Sequence, residues 1–328
     1  MKNNNNTFKK LDEIIHSLKI DKNSKEILLT NLEVLKKQKI NILITGATGS
    51  GKSSTINALF DTDVAMVGTG VDPETMHIQK YDLDNLVLWD SPGLGDGKEK
   101  DILHAKGIVD KLNELDKEGD PLIDMVLVIL DGGSRDLGTS YELINSVIIP
   151  NLGENPEDRI LVAINQADVA MKGRYWNHEK NKPEKKLKEF LDEKVQSTKK
   201  RVKDATGVDI EPICYAAGFK DDDEPQRPYN LSKLLYFILK HTPEKKRLVY
   251  IDNISKEQEM WQDNDELKNY NEEIKKSFRE TFTSHVATGA ATGAAIGAAI
   301  FGAPGAALFG AVGAGIGAIG GIFSSIFG

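Results

Sequence analysis

Eight consecutive residues, Gly46-Ala47-Thr48-Gly49-Ser50-Gly51-Lys52-Ser53, set glycines, a lysine and a hydroxyl at a spacing suited to holding an anion. Glycine lets successive backbone N–H groups converge on one point, and a helix starting there adds unpaired donors and a favourable dipole. In this pattern Lys52 reaches the β- and γ-phosphates of a nucleotide, and the Ser53 hydroxyl ligates Mg²⁺. Gly46, Thr48, Gly49, Ser50 and Gly51 form the cradle, and Ser54 follows in the first helical turn. The pattern requires a strand before it and a helix after it. Ile40, Ile42, Leu43 and Ile44 supply a short, β-branched buried run, and residues 53–60 have helical spacing.

Further along, apolar runs at 86–89, 125–130, 160–164 and 213–215 read as strands, and residues 102–115, 141–149, 185–203 and 231–239 read as helices. Such alternation predicts an α/β fold with a mostly parallel sheet covered by helices on both faces. Sites in these sheets lie beyond the carboxyl ends of the strands. Polar residues stand at those ends. Asp90-Ser91-Pro92-Gly93 follows one strand, where Asp90 is placed to hold Mg²⁺ and the Gly93 N–H to sense a γ-phosphate. Asn165-Gln166-Ala167-Asp168 follows another. An aspartate at 168 can accept hydrogen bonds from N1–H and the 2-amino group of guanine, a donor pair adenine lacks. Asn165 is expected to tie this loop to the phosphate loop, and a backbone N–H at Ala216 to meet guanine O6.

Four motifs in order, Gly46 to Ser53, Thr69/Thr75, Asp90 to Gly93 and Asn165 to Asp168, resemble a translation-factor-related GTPase domain of the Era-like type. The stretch from Thr69 to Met76, followed by Trp89 to Gly95, is particularly similar to immunity-related GTPases and their bacterial relatives. The resemblance covers roughly residues 40 to 240. It implies a six-stranded G domain that binds GTP and GDP with Mg²⁺, and a switch threonine that reaches the metal. Thr75, just before the expected second strand, is taken for that role, with Thr69 as the alternative. Two positions depart from the family pattern. Gln166 stands where a lysine is usual, and Leu94 where Ras-like proteins place a water-orienting glutamine. The resemblance therefore implies slow GTP hydrolysis, with water positioned by another residue, a bound ion or a second protomer in a homodimer or oligomer formed through the G domain.

The chain has 328 residues, 40% of them hydrophobic, enough for one substantial core plus appendages. A net charge of −8 argues against nucleic acid as a partner. The single cysteine, Cys214, leaves no partner for an internal disulfide and suits a reducing cytoplasm. The N-terminus has no apolar signal region. The histidines show no metal-ligand spacing.

The expected organisation is a helical segment over 1–38, a GTPase domain over 39–242, a charged helical connector over 243–285 and a Gly/Ala-rich tail over 286–328. Lysines over 172–203 read as a solvated helical face or a contact with an anionic membrane. The tail carries no charged residue, and Gly289, Gly293 and Gly297, then Gly313, Gly317 and Gly321, recur at intervals of four. Such stripes let helices approach closely in lipid, so a membrane hairpin bent at Pro304 is expected, against a flexible extension or oligomerisation helix. The resulting reading is a cytoplasmic, membrane-associated GTPase whose switch loops control assembly or membrane association. Its alternative is a membrane-perturbing effector timed by its G domain.

Overall fold

A computed structural model of the chain describes residues 7–60, 78–83, 85–95, 97–219, 226–288 and 326–327. The elements run α1 (Thr7–Ser17), α2 (Lys22–Lys36), β1 (Ile40–Gly46), α3 (Lys52–Leu59), β2 (Gln79–Leu83), β3 (Leu86–Asp90), α4 (Lys98–Leu112), β4 (Met125–Asp131), α5 (Gly138–Glu142), β5 (Ile160–Asn165), a small hairpin of β6 (Trp176–Asn177) and β7 (Lys182–Pro183), α6 (Lys185–Thr206), β8 (Ile213–Cys214), α7 (Leu231–Lys240) and α8 (Tyr270–His285). The main sheet has six strands in the order β2-β3-β1-β4-β5-β8, antiparallel only between β2 and β3. This is the six-stranded, mostly parallel sheet expected.

Chemistry explains which strand sits where. Every residue of β1 and β5 is buried, as apolar strands covered on both faces must be. β2 exposes Gln79, Lys80 and Asp82, whose polarity protects an edge from further pairing. Alternation along β4 divides the core between the two faces. Met125, Leu127 and Ile129 pack with residues of α3, α7, α8 and both chain-end helices, whereas Val126, Val128 and Leu130 pack with residues of α4 and α6.

The two ends of the chain meet on one face. The Thr7 N–H donates to Asp252 Oδ1 at 2.7 Å, and Asn31 Nδ2 donates to the Val286 carbonyl at 3.0 Å. Residues 243–269 differ from the charged helix expected of them. They form 3₁₀ turns at Glu244–Asp252 and Gln258–Trp261, and α-helix begins only at Tyr270. Asn264 and Asp265 side chains accept from the N–H groups of Glu266 and Leu267, local turns that compete with helix until the Asn269 side chain caps α8. Leu267, three residues before Tyr270, is exposed and does not join the buried face of α8.

Ile326 and Phe327 are buried, with the Phe327 ring edge-on to Trp261 at 5.6 Å. The glycine stripes of the expected hairpin lie outside the described residues. Among the described residues, no helix is long and apolar enough to cross a membrane.

Candidate nucleotide site

β1 delivers its chain directly into the glycine loop, and α3 begins at Lys52 after Gly51, whose φ of +86° lies in the left-handed region. A side chain at 51 would meet more than backbone strain. A Cβ there would sit 2.2 Å from Asn165 Nδ2, and one at Gly93 would sit 2.3 Å from Thr48 Oγ1. Glycine at these positions lets three loops touch. Lys52 Nζ lies 3.3 Å from the Gly46 carbonyl and 3.1 Å from that of Ala47, so the ammonium stays at the loop and not in the core. Ser53 and Ser54 occupy the first turn of α3, both half-buried.

The Asp90-to-Gly93 loop is laced to this cradle by its backbone. The Thr48 N–H donates to the Leu94 carbonyl at 3.1 Å, and the Leu94 N–H to the Gly46 carbonyl at 3.3 Å. Leu94 itself is buried in the core, so its side chain cannot orient a water at the site. His104 of α4, also buried, places Nδ1 3.2 Å from the Gly93 carbonyl. Asp90 is 2% exposed, and burial pushes its carboxyl up to about 6 despite the opposing charge of Lys52. Its Oδ1, together with Ser50 Oγ and Thr45 Oγ1, is buried without a hydrogen-bond partner among the described residues. Hard, unpartnered oxygens beside a phosphate-type cradle suit Mg²⁺, so the residues present fit that ion.

The second half of the site comes from β5. Asn165 is 2% exposed and reaches both ways, donating from Nδ2 to the Ser50 carbonyl at 2.9 Å and accepting on Oδ1 from the Ala217 N–H at 2.9 Å. Gln166, at a φ of +60°, donates from Nε2 to the Gly49 carbonyl at 2.8 Å. A neutral amide thus lies along the cradle where the family pattern has a lysine. Asp168 is half-buried, burial raises its carboxyl above the ordinary range, and Gln226 Nε2 donates to its Oδ2 at 3.1 Å.

The expectation for Ala216 requires correction. Its N–H donates to the Tyr229 carbonyl at 3.0 Å inside a hairpin bridge, and is therefore committed and cannot face a base. The Ala217 N–H is committed to Asn165 in turn. Thr69 and Thr75 lie outside the described residues.

Sequence reading missed several supports of the site. Tyr215 was read only as the end of a strand, yet its hydroxyl meets Thr55 Oγ1 at 2.6 Å, and Thr55 donates to the Gly51 carbonyl at 2.7 Å. A buried tyrosine must find a polar partner, which was a signal without an address. Gln226 and His104 carried no signal.

Residues 41–166 match the family model described as 50S ribosome-binding GTPase. Interferon-inducible GTPase 1 of Mus musculus is 35% identical over 104 residues, covering 27% of this chain and 25% of that protein. The uncharacterized protein YkfA of Escherichia coli strain K12 is 31% identical over 149 residues, 44% of this chain and 47% of that one. The tRNA modification GTPase MnmE of Pelagibacter ubique is 31% identical over 155 residues, 43% of this chain and 33% of that one. The chain thus spans between a quarter and about half the length of these relatives. Among solved structures, Toc33 from Arabidopsis thaliana with GDP and Mg²⁺ aligns at a TM-score of 0.39 and 16% identity, covering 62% of this chain and 81% of that one. Era from Aquifex aeolicus aligns at 0.38 and 19%, covering 63% and 58%.

Proposed function

We propose that the P-loop GTPase G domain of this chain binds GTP and GDP with Mg²⁺ and hydrolyses GTP slowly, as a nucleotide-dependent switch. The observation that carries this reading is Asn165, whose amide joins the cradle at Ser50 to the hairpin at Ala217 while its neighbours extend toward Asp168. One side chain thereby makes a phosphate loop and a base-reading loop into a single site. Lys52 and the cradle amides would hold the phosphates, Asp168 the base, and Gly218, the next hairpin amide after Ala217, would take the place expected of Ala216 at O6. Ser53 and Asp90 would hold Mg²⁺ with a switch threonine, Thr75 or Thr69. Bound there, Mg²⁺ would neutralise negative charge on the phosphates.

Slow turnover is supported by the burial of Leu94 and its commitment to the cradle through both its N–H and its carbonyl. Water must then be oriented by a group outside that position, and a second protomer paired through the G domain is the source proposed. Purified full-length chain should bind GTP and GDP but not ATP in calorimetric titration, and its single-turnover rate should rise with protein concentration. Fast hydrolysis by the dilute monomer would refute the slow switch, and equal binding of ATP would refute guanine selection.

Membrane association belongs to this proposal through the uncharged tail. It is supported by the composition of that tail, in which no residue from Val286 to Gly328 is charged. Flotation of the full chain with anionic vesicles in GTP, but not in GDP, is the expected result. Equal recovery in the soluble fraction in both would remove the membrane from the function.

A further inference from the structure

Antiparallel pairing of residues 216–219 with 226–229 brings Gln226 to the base-reading carboxylate. Ala216 and Tyr229 exchange both backbone hydrogen bonds, at 3.0 and 2.9 Å, and Phe219 and Gln226 do the same, at 3.1 and 3.0 Å. Gly218, at a φ of +71°, passes so close to this return arm that a Cβ there would lie 2.4 Å from the Gln226 carbonyl. The arm is anchored beyond Gln226 as well. Asn181 Nδ2 donates to the carbonyls of Arg227 and Pro228 and to Asp263 Oδ2, and the Arg227 guanidinium pairs with the same carboxylate at 3.2 Å. Gln226 is therefore held by its pairing with Phe219 and by the anchored residues that follow it, and its amide donates to Asp168 Oδ2.

The chemistry of that contact is specific. A carboxylate is an acceptor only, and a side-chain NH₂ presents to it the same kind of donor as the exocyclic 2-amino group of guanine. We propose that the Gln226 amide is a built-in stand-in for the purine 2-amino group, so that the site tolerates hypoxanthine nucleotides and guanine must displace Gln226 to be read in full. The proposal rests on Asp168 as the base-reading residue.

The consequences differ for two bases that differ by one group. Guanine offers N1–H and the 2-amino group, and its second donor competes with Gln226 for Oδ2. Hypoxanthine offers N1–H alone and leaves Gln226 in place, so both carboxylate oxygens stay paired. Removing the amide frees Oδ2 for guanine and gives hypoxanthine nothing in exchange. Discrimination between the two bases therefore sharpens when Gln226 is lost. A residue acting only as structural support would weaken both nucleotides alike.

The test uses GDP and IDP titrated calorimetrically against the full-length chain and its Gln226→Ala and Gln226→Met variants, the second keeping the length and packing of the side chain without its donor. The expected result is a GDP-to-IDP affinity ratio raised about tenfold or more in both variants, the worth of one hydrogen bond to a charged acceptor. GDP should account for the change, with IDP nearly constant. A ratio that is unchanged or lower in the methionine variant overturns the stand-in. An Asp168→Asn variant titrated in parallel separates the two levels: if it binds GDP as the parent does, the base-reading assignment itself has failed, whatever Gln226 does.

Discussion

Asp168→Asn should lower affinity for GDP by about a thousandfold and turn the site toward xanthine nucleotides. Two hydrogen bonds from guanine to a charged, half-buried acceptor are worth together about 3–5 kcal/mol, which spans roughly two to four orders of magnitude in affinity. The amide that replaces the carboxylate keeps one acceptor and gains a donor. Its oxygen can still accept from N1–H, but its NH₂ then faces the 2-amino group, donor against donor. Xanthine carries an oxygen at that carbon and restores the pair. Phosphate contacts at the cradle are untouched, so XDP should bind the variant within about tenfold of GDP on the parent. Competition of GDP, XDP and ADP for a fluorescent nucleotide measures all three. Retained preference for GDP would show that selection lies elsewhere, and loss of every nucleotide would show that Asp168 supports the loop and not the base.

Why the Asn165 bridge was legible and the Gln226 contact was not is a matter of where the information resides. The glycine cradle must follow a strand and open a helix, and the sequence from Ile40 through Leu59 satisfies that locally, so loop, strand and helix were read together. The Asn165 bridge was also readable, because a polar residue at a strand's carboxyl end in an α/β sheet has few places to go. Gln226 lies 58 residues beyond Asp168, and Tyr215 lies 160 beyond Thr55. Their contacts are made by the sheet order and by a hairpin whose register no local pattern encodes. The same holds for Ala216, expected to offer its N–H to a base but turned away from it by its pairing with Tyr229. Residues 243–269 failed for a different reason. Helical spacing of Leu267, Tyr270, Ile274 and Phe278 is genuine from Tyr270 onward, but turn-forming Asn and Asp side chains overrule it before that point.

Asp90 should reveal itself through stability as well as chemistry, because it is a carboxylate the ligand-free fold accommodates poorly. Its carboxyl titrates at about 6 in the fold against an ordinary 3.8, with burial as the main cause and Lys52 offsetting part of it. The sign follows from proton counting. Below 3.8 both folded and unfolded chains hold the proton, and Asp90 has no effect on stability. Between 3.8 and 6 the folded chain keeps the proton while the unfolded chain has released it, so stability falls as pH rises through this window. Above 6 both are ionised, and the fold carries the full cost, about 2–3 kcal/mol. Asp90→Asn removes that charge, and a buried neutral amide costs less than a buried ion. The ligand-free variant should therefore melt about 5 °C above the parent at pH 7.5, with the gap closing toward pH 4. Lys52 remains half-exposed and can be solvated without its partner. Function moves the other way. The carboxylate placed to hold Mg²⁺ is gone, so Mg²⁺-dependent GTP hydrolysis should drop about a hundredfold or more. Greater stability with lost turnover is the signature of a charge kept for its ligand. A variant that melts lower than the parent at every pH would assign Asp90 to the core and not to the site.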